Sequence, residues 1–515
     1  MTYKKIALTV AQTAVLMAIL TLGSKFIGFI REMVMANYYG TSYITDAFVM
    51  SNSIPGILFG GIVASIATAY MPVFAKAFEI EGQEEANRYT NSIINMLLLV
   101  SLISSVTGIL FSDEIVKIFA MGFKGETAEL TSFFLKISFS YIFATSFISI
   151  LNSYLKYRGS FIPQIITGYS QSIFLMIFIV ISAYTKHYYL IIGYVFAYIF
   201  QAVIYLKLAK GKEYKYALAF NSGGRSIEAL KLSLPVFIVC LVDQLGQFVD
   251  KSLASTLPEG SVSALNYGIL ITTMISGLTI TIMATIIFPK LNQLNALKNF
   301  EKFGEILGRG ISIAVIITIP CALGAILYRE QIVQVIYERG AFDPAGTKLT
   351  AVALWCYAIG LPFNAINVLL GNALISMHNS KTPAIISSIV VSVDIAFNFI
   401  LIGPMAHGGL ALSTSIGAMT GTILYYFMFK KRYKHIASII SPIIVLKVFL
   451  LSVTSVGASW LLYQYIILPY SSILASRSLQ LIIAVGVSMM IYYILLKVFK
   501  FIEIDIIKEI FKHKA

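Results

Sequence analysis

The residues of this sequence that could do chemistry are ionisable side chains set inside long apolar runs. Lys25, Arg31 and Glu32 lie in one such run, Asp46 opens the next, Asp243, Asp250 and Lys251 share a third, and Asp394 stands in a fourth. A charge near the middle of a bilayer costs at least ~2.5 kcal/mol on insertion scales, so each is a functional candidate. Lys25 and Glu32 are seven residues apart and share a helix face, with Gly28 between them; Arg31 lies about 120° round from Lys25. A bend at Gly23 and Gly28 would bring both cations onto one cavity wall, the alternative being an Arg31–Glu32 packing or snorkelling pair. Pro55, Gly56, Gly60 and Gly61 after Asp46 mark a bent helix beside a cavity. Asp243, Gln247 and Asp250 follow i, i+4, i+7 and form one polar stripe that must face protein or water. Asp394 and Asn398 are one turn apart. With Ser413, Thr414 and Ser415 they supply the hard oxygen ligands a sodium ion needs; the alternative is a hydrogen-bonded cluster without an ion.

Catalysis finds no such residues. The five histidines (His187, His378, His407, His435 and His513) fall in loops or the tail. The three cysteines (Cys240, Cys321 and Cys356) are too few and scattered for a disulfide framework or a zinc site. No H-E-x-x-H, G-x-S-x-G or phosphate-binding G-x-x-x-x-G-K-[ST] occurs at a credible place, and no extramembrane segment is long enough for an ATPase. The expectation is a transporter with no catalytic residue and no cofactor beyond sodium as a coupling ion.

The elements that must position these residues follow from composition. Of 515 residues 58% are hydrophobic and 12% charged, half the charge of an average soluble domain. Fourteen stretches reach the ~20 apolar residues that span a bilayer. They lie near 9–36, 46–74, 91–112, 131–154, 161–184, 188–208, 232–256, 262–288, 308–328, 349–375, 383–403, 408–429, 439–465 and 478–499. The first continues past an ordinary signal-peptide core and reads as an uncleaved helix. The sequence therefore predicts an all-α polytopic membrane protein with fourteen transmembrane helices. Lys and Arg divide 26 to 7 between the two sides, with five inside spans, which predicts cytoplasmic N and C termini. That bias accounts for the net charge of +14 without nucleic acid. It points to anionic membrane lipid, with residues 501–515 as an amphipathic tail on the inner surface.

The chain also repeats itself. Ala67-Thr68 with Pro72 recurs as Ala284-Thr285 with Pro289, and Ile109-Leu110-Phe111 with Ile115-Val116 recurs as Ile326-Leu327-Tyr328 with Ile332-Val333, both offset by 217 residues. Pro163 with Ile165-Ile166 recurs as Pro383 with Ile385-Ile386, offset by 220. Six spans per repeat is an even number, so the repeats share one orientation, the parallel arrangement of secondary transporters. The expected organisation is a six-helix bundle over 1–215, its repeat over 216–432, two additional helices over 433–500, and the tail.

Several stretches resemble one family in order. They are Gly23-Ser-Lys-Phe-Ile-Gly-Phe-Ile-Arg-Glu32, Thr45-Asp-Ala-Phe48, Ile54-Pro55 and Pro72-Val-Phe74. Gly260-Ser-Val-Ser-Ala-Leu-Asn-Tyr267, Arg339-Gly-Ala-Phe-Asp343, Tyr357-Ala-Ile-Gly-Leu-Pro362, Lys381-Thr-Pro383 and Gly408-Gly-Leu-Ala-Leu-Ser-Thr-Ser415 continue the series. Together they resemble the MurJ (MviN) family of the MOP exporter superfamily over residues 9–432. The resemblance implies a lipid II flippase of the bacterial cytoplasmic membrane, taking an undecaprenyl-diphosphate-linked glycan across by alternating access. Other cell-wall synthesis proteins are implied as possible partners. It maps the family's cationic cavity onto Lys25 and Arg31, with Glu32 beside them and Asp46 as the acidic position of the second helix. It maps the sodium site of some members onto Asp243 or Asp250, Asp394, Asn398 and Thr414. Phe59, Gly60, Ala64 and Ser65 stand where the family carries an arginine-rich stretch, and Leu270 and Thr273 where it carries Arg and Glu. The alternatives are an exporter of another lipid-linked polysaccharide, a drug or cation antiporter of the same superfamily, and a scaffold without transport.

Overall fold

In a computed structural model the protein is built of helices joined by short connections over its described residues, which are 10–220, 223–283, 287–432, 442–469 and 476–499. The tail at 501–515, and the start of the expected thirteenth span, lie outside them. Among the described residues eleven helices are long and apolar enough to cross a membrane, or twelve if one bent pair counts as a single span. Val10–Tyr39 and Ser261–Ile282, over the first and eighth expected stretches, are not among the twelve, so length and apolarity alone do not reach fourteen.

The helices divide into two units. The first holds residues up to Ser263 together with Gly340–Phe342. It contains α1 (Val10–Tyr39), α2 (Tyr43–Glu81), α3 (Gln83–Leu110), the short α4 (Ser112–Phe119), α5 (Gly125–Ser138), α6 (Tyr141–Tyr157), α7 (Ile162–Tyr184), α8 (Tyr188–Lys210) and α9 (Arg225–Ser255). Helix α2 packs on α9, α5, α3 and α6, and α7 packs on α8 and α1. The α1–α7 approach is close because small residues meet there: a Cβ on Gly23 would come within 2.1 Å of the Tyr169 hydroxyl, and one on Gly168 within 2.4 Å of Ser24 Oγ.

Helix α2 carries Pro55 in its interior. Proline cannot donate to the carbonyl four residues back, which leaves Ser51 O without its helical partner. Ser138 Oγ donates to that oxygen at 2.8 Å, and Tyr141 Oη donates to the neighbouring Asn52 O at 3.3 Å. Both donors flank the break between α5 and α6, which are bent by 46°. Neither Gly nor Pro makes this bend; the buried Phe139 ring is seated on Gly108 of α3.

The second unit holds residues 264–339 and 343 onward. It contains most of α10 (Ser261–Ile282), then α11 (Phe288–Ala296), α12 (Phe300–Leu327), α13 (Arg329–Tyr337), α14 (Pro344–Ser376), α15 (Lys381–Met405), α16 (His407–Arg432), α17 (Pro442–Leu462), a π turn at Tyr463–Ile467, and α18 (Arg477–Val498). Helix α14 packs on α16 and α12, α15 on α16, and α17 on α12 and α18. Leu291, Phe303, Leu307, Leu369, Ala373 and Val448 are fully buried at its core. Pro320 inside α12 frees the carbonyl of Ile316, and Tyr492 Oη of α18 donates to it at 3.0 Å.

Several helix boundaries depart from the sequence expectation: α3 begins at Gln83 rather than near 91, and α12 at Phe300 rather than near 308. Helix α2 runs to Glu81 rather than stopping near 74, and α9 begins at Arg225 rather than near 232. Hydropathy marks where a chain leaves the hydrocarbon; the backbone ladder continues as long as its hydrogen bonds and side-chain contacts hold.

Candidate functional site

Within α1, Arg31 and Glu32 form an ion pair: Arg31 Nε donates to Glu32 Oε1 at 3.0 Å and Nη2 donates to the same oxygen. Adjacent residues on a helix do not face each other, so the pair forms only because the long arginine side chain folds back. Its surroundings are Tyr194 and Tyr198 of α8. These rings pack edge-on and tilted against Tyr141 of α6, with centroids 5.4 and 4.7 Å away. The tyrosines were not anticipated from the sequence; their spacing of four along α8 was the available signal. Lys25 is exposed on α1. Gly23 and Gly28 serve the packing of α1. Both face α7, and a Cβ on Gly28 would lie 3.7 Å from Ser172 Oγ.

Asp46 is 2% exposed, and both its oxygens are engaged. Oδ2 accepts from the Gly260 amide at 2.7 Å and Oδ1 from the Ser263 amide at 2.8 Å. Glu259 Oε1 reciprocates by accepting from the Tyr43 amide at 2.8 Å. A carboxylate on the free N–H groups of an opening helical turn is a capping arrangement. Lys251 of α9 is within electrostatic reach of Asp46 and Asp250. Asp46 therefore ties α2 to the turn at 260–263, and its oxygens are not open to a substrate headgroup.

The expected ion ligands are divided between the two units. Asp243 and Asp250 lie on α9 in the first unit, Asp243 exposed and Asp250 half-buried. Asp394 and Asn398 of α15 and Thr414 of α16 lie in the second unit and come together there. Asp394 is 9% exposed and Asn398 0%. The hydroxyls of Ser413 and Thr414 are beside the Asp394 carboxylate, and Ser413 Oγ also donates to Asn398 Oδ1. Asp394 Oδ1 is buried without a hydrogen-bond partner. Gly417 allows α16 this close, since a Cβ there would sit 3.2 Å from Val390 O and 3.5 Å from Asp394 Cβ. One carboxylate, one amide oxygen and two hydroxyls around an orphaned buried oxygen fit a monovalent cation. Among the described residues no three His, Cys, Asp or Glu side chains gather as a divalent or transition metal would require.

The second unit also contains a groove of about 460 Å³ between α10, α12, α17 and α18. Ile271, Ile316, Pro320, Val456, Met489 and Tyr492 line it, and the Tyr492 hydroxyl is turned to the Ile316 carbonyl. The sequence reading placed the last two helices outside the repeat and assigned them no site. No signal was available, because an apolar groove and a lipid-facing helix have the same composition.

Comparison with known proteins places these features. The family model described as lipid II flippase MurJ matches residues 35–479. The "Probable lipid II flippase MurJ" of Rickettsia prowazekii is 26% identical over 437 residues, covering 83% of this chain and 85% of that protein. A solved structure of lipid II flippase MurJ in an inward closed conformation superposes with a TM-score of 0.81 at 24% identity, covering 94% of this chain and 98% of the other. An inward-facing multidrug resistance MATE transporter of the MOP superfamily superposes with a TM-score of 0.65 at 16% identity, covering 82% and 100%. The fold is thus that of the MOP superfamily, and, matched by the family model over most of its length, the chain belongs to the MurJ family of lipid II flippases.

Proposed function

We propose that this protein carries lipid II, the undecaprenyl-diphosphate-linked peptidoglycan precursor, from the inner to the outer leaflet of the bacterial cytoplasmic membrane by alternating access. The match of the family model to residues 35–479 carries this reading. The chemistry of the substrate agrees with it. A groove of about 460 Å³ falls in the ~300–1,000 Å³ range that holds a drug-sized ligand; it offers part of a polyprenyl chain a dry seat among α10, α12, α17 and α18. The diphosphate needs cations. Arg31 can bind it through two N–H groups and Lys25 as a point charge, with Glu32 setting the position of the Arg31 fork until the headgroup competes for it. Asp46 falls outside this binding set and serves as a structural cap. Asp394, Asn398, Ser413 and Thr414 form the sodium-coupling cluster of the second unit. The Lys and Arg bias supports cytoplasmic termini.

The test is complementation. Cells depleted of their own lipid II flippase and given this protein should regain growth and outer-leaflet exposure of the lipid II headgroup. A second reading, export of another lipid-linked polysaccharide, is favoured by Phe59, Gly60, Ala64 and Ser65 at the family's arginine-rich stretch. Failure to complement, combined with binding of a different polyprenyl-linked glycan, would move the assignment there.

A further inference from the structure

The segment that joins α8 to α9 has no helix or strand of its own from Tyr214 to Phe220, yet it is tied to α3 along its length. Asn87, Asn91 and Asn95, at i, i+4 and i+8, project from one face of α3. Asn87 Nδ2 donates to Glu213 O at 2.9 Å, Asn91 Nδ2 to Lys215 O at 2.8 Å, and Asn95 Nδ2 to Ala219 O at 2.8 Å and Ala217 O at 3.2 Å. Two tyrosines of the segment answer: Tyr214 Oη donates to Asn91 Oδ1 at 2.7 Å and Tyr216 Oη to Asn95 Oδ1 at 2.9 Å. Ser92 Oγ reaches Phe220 O at 2.8 Å. Four residues of helix rise about 6 Å, and two residues of extended chain rise about 6.6 Å. An asparagine every fourth residue therefore meets every second carbonyl. The asparagine amides read backbone, so their register depends on the segment being extended, and the two tyrosine hydroxyls complete it.

The near end of the segment is strained and clamped. Glu213 has a left-handed φ of 68°, a conformation that a residue with a Cβ holds only when its surroundings impose it. Its carboxylate takes Arg158 Nη2 at 2.9 Å, while Arg158 Nη1 donates to Gln83 at 3.0 Å. Tyr154 Oη donates to Lys212 O at 2.7 Å. Beyond the far end, the first residue of α9, Arg225, is paired with Glu81 and Glu85, and Ser226 with Ser92. The foot of α9 is thus held to the α2–α3 corner beside the segment.

We propose that residues 211–220 are a releasable strap: docked on the asparagine ladder, they pin the foot of α9, and undocking is a step of the transport cycle. This rests on the alternating-access reading, in which α9, the first helix of the second sequence repeat yet packed on α2 in the first unit, shifts during the cycle. The bonds that dock the strap run mostly between side chains of α3 and the strap's carbonyls and tyrosine hydroxyls, and Arg158 and Tyr154 at the end of α6 add those at Glu213 and Lys212. They can be exchanged for water together without unfolding either helix, and release relieves the strain at Glu213.

The experiment uses the full chain in proteoliposomes with Cys240, Cys321 and Cys356 replaced by alanine. In one variant, Asn91→Cys and Lys215→Cys are joined by a short reducible bis-methanethiosulfonate. Crosslinking should lower lipid II flipping at least tenfold, and reduction should restore it in the same molecules, which shows that the loss is not misfolding. In a second, Ser92→Cys, buried at 0% exposure, reports the strap through its reaction with a water-soluble maleimide. Labelling should rise several-fold when lipid II is added, and without lipid II when Asn87, Asn91 and Asn95 are replaced by leucine. Full flipping by the crosslinked protein, or unchanged labelling in the leucine variant, would overturn the proposal. If the uncrosslinked parent moves no lipid II, the functional reading fails, and the strap then stands or falls on the leucine-variant labelling.

Discussion

Asp46 shows what a residue type can and cannot disclose. An acidic residue at the head of the second apolar run was visible in the sequence, but its partners are the amides of Gly260 and Ser263, more than two hundred residues away. Helical periodicity assigns a residue to a face, not to a partner. The same holds for Arg31: its seven-residue neighbourhood was legible, whereas the Tyr194–Tyr198 wall on α8 that receives it was not. The consequence for function can be measured. Lys25 is exposed and Arg31 is half-buried against tyrosines, so their alanine variants should behave differently. Losing one charge-assisted contact costs roughly 1.5–3 kcal/mol. Lys25→Ala should therefore weaken lipid II binding about 10- to 150-fold with an unchanged melting temperature. Arg31→Ala should lose binding and also melt lower, because Glu32 is left without its partner. Lys25→Arg should keep activity, and Arg31→Lys should lose most of it as the fork geometry goes. Full flipping by the Lys25→Ala, Arg31→Ala double variant would exclude these cations from headgroup recognition.

At the scale of elements, the positions of the helices were legible because a 20-residue apolar run has few alternatives. Their bends and grooves were not. The 46° break between α5 and α6 contains no Gly or Pro; it depends on Phe139 meeting Gly108 of α3. Proline 320 was visible, but not that Tyr492 would satisfy the carbonyl it frees. Two predictions belong here. If the α15–α16 cluster binds sodium, the ion stabilises the folded protein by mass action, by about 2.7 kcal/mol at a hundred times its dissociation constant. Replacing potassium by sodium should then raise the melting temperature of the parent in detergent and leave Asp394→Asn unmoved. An equal response in both would make the cluster structural. The groove offers a second. A Cβ on Gly324 of α12 meets nothing within 4 Å and points into the lined space. Gly324→Leu should fold normally, since leucine also favours helix, yet slow the flipping of lipid II with its full polyprenyl chain. A lipid II analogue with a short prenyl chain should cross at the parental rate. Equal slowing of both would place the effect on helix motion rather than on the lipid tail.

At the scale of the whole molecule, charge decides orientation. The 26-to-7 division of Lys and Arg is far larger than a chain inserted either way would carry, and each basic residue near a span end acts on the choice during insertion. The expected orientation puts Lys124 and Lys186 outside and Glu84 inside, and all three side chains are exposed. Gly122, in the same outer turn as Lys124, is unsuitable as a reporter because a side chain there would meet Ser255 O at 2.2 Å. Cysteine at 124 or 186, in a background without native cysteines, should react with an impermeant maleimide in intact spheroplasts. Cysteine at 84 should react only after the membrane is opened. The same bias explains why the net charge of +14 did not indicate nucleic acid: the lysines and arginines are distributed loop by loop along one side, as anionic inner-leaflet lipid attracts them, rather than gathered in one patch. A partial loss of the bias should therefore leave the orientation unchanged. Exchanging Lys207, Lys210, Lys212, Lys215 and Lys231 for glutamine removes five of the six basic residues over 207–231, around the junction of α8 and α9, and lowers the division to 21 against 7. The remaining loops still point the same way, so the labelling pattern at 84, 124 and 186 should persist. Reversal by this change alone would show that the central segment, and not the sum over loops, sets the orientation.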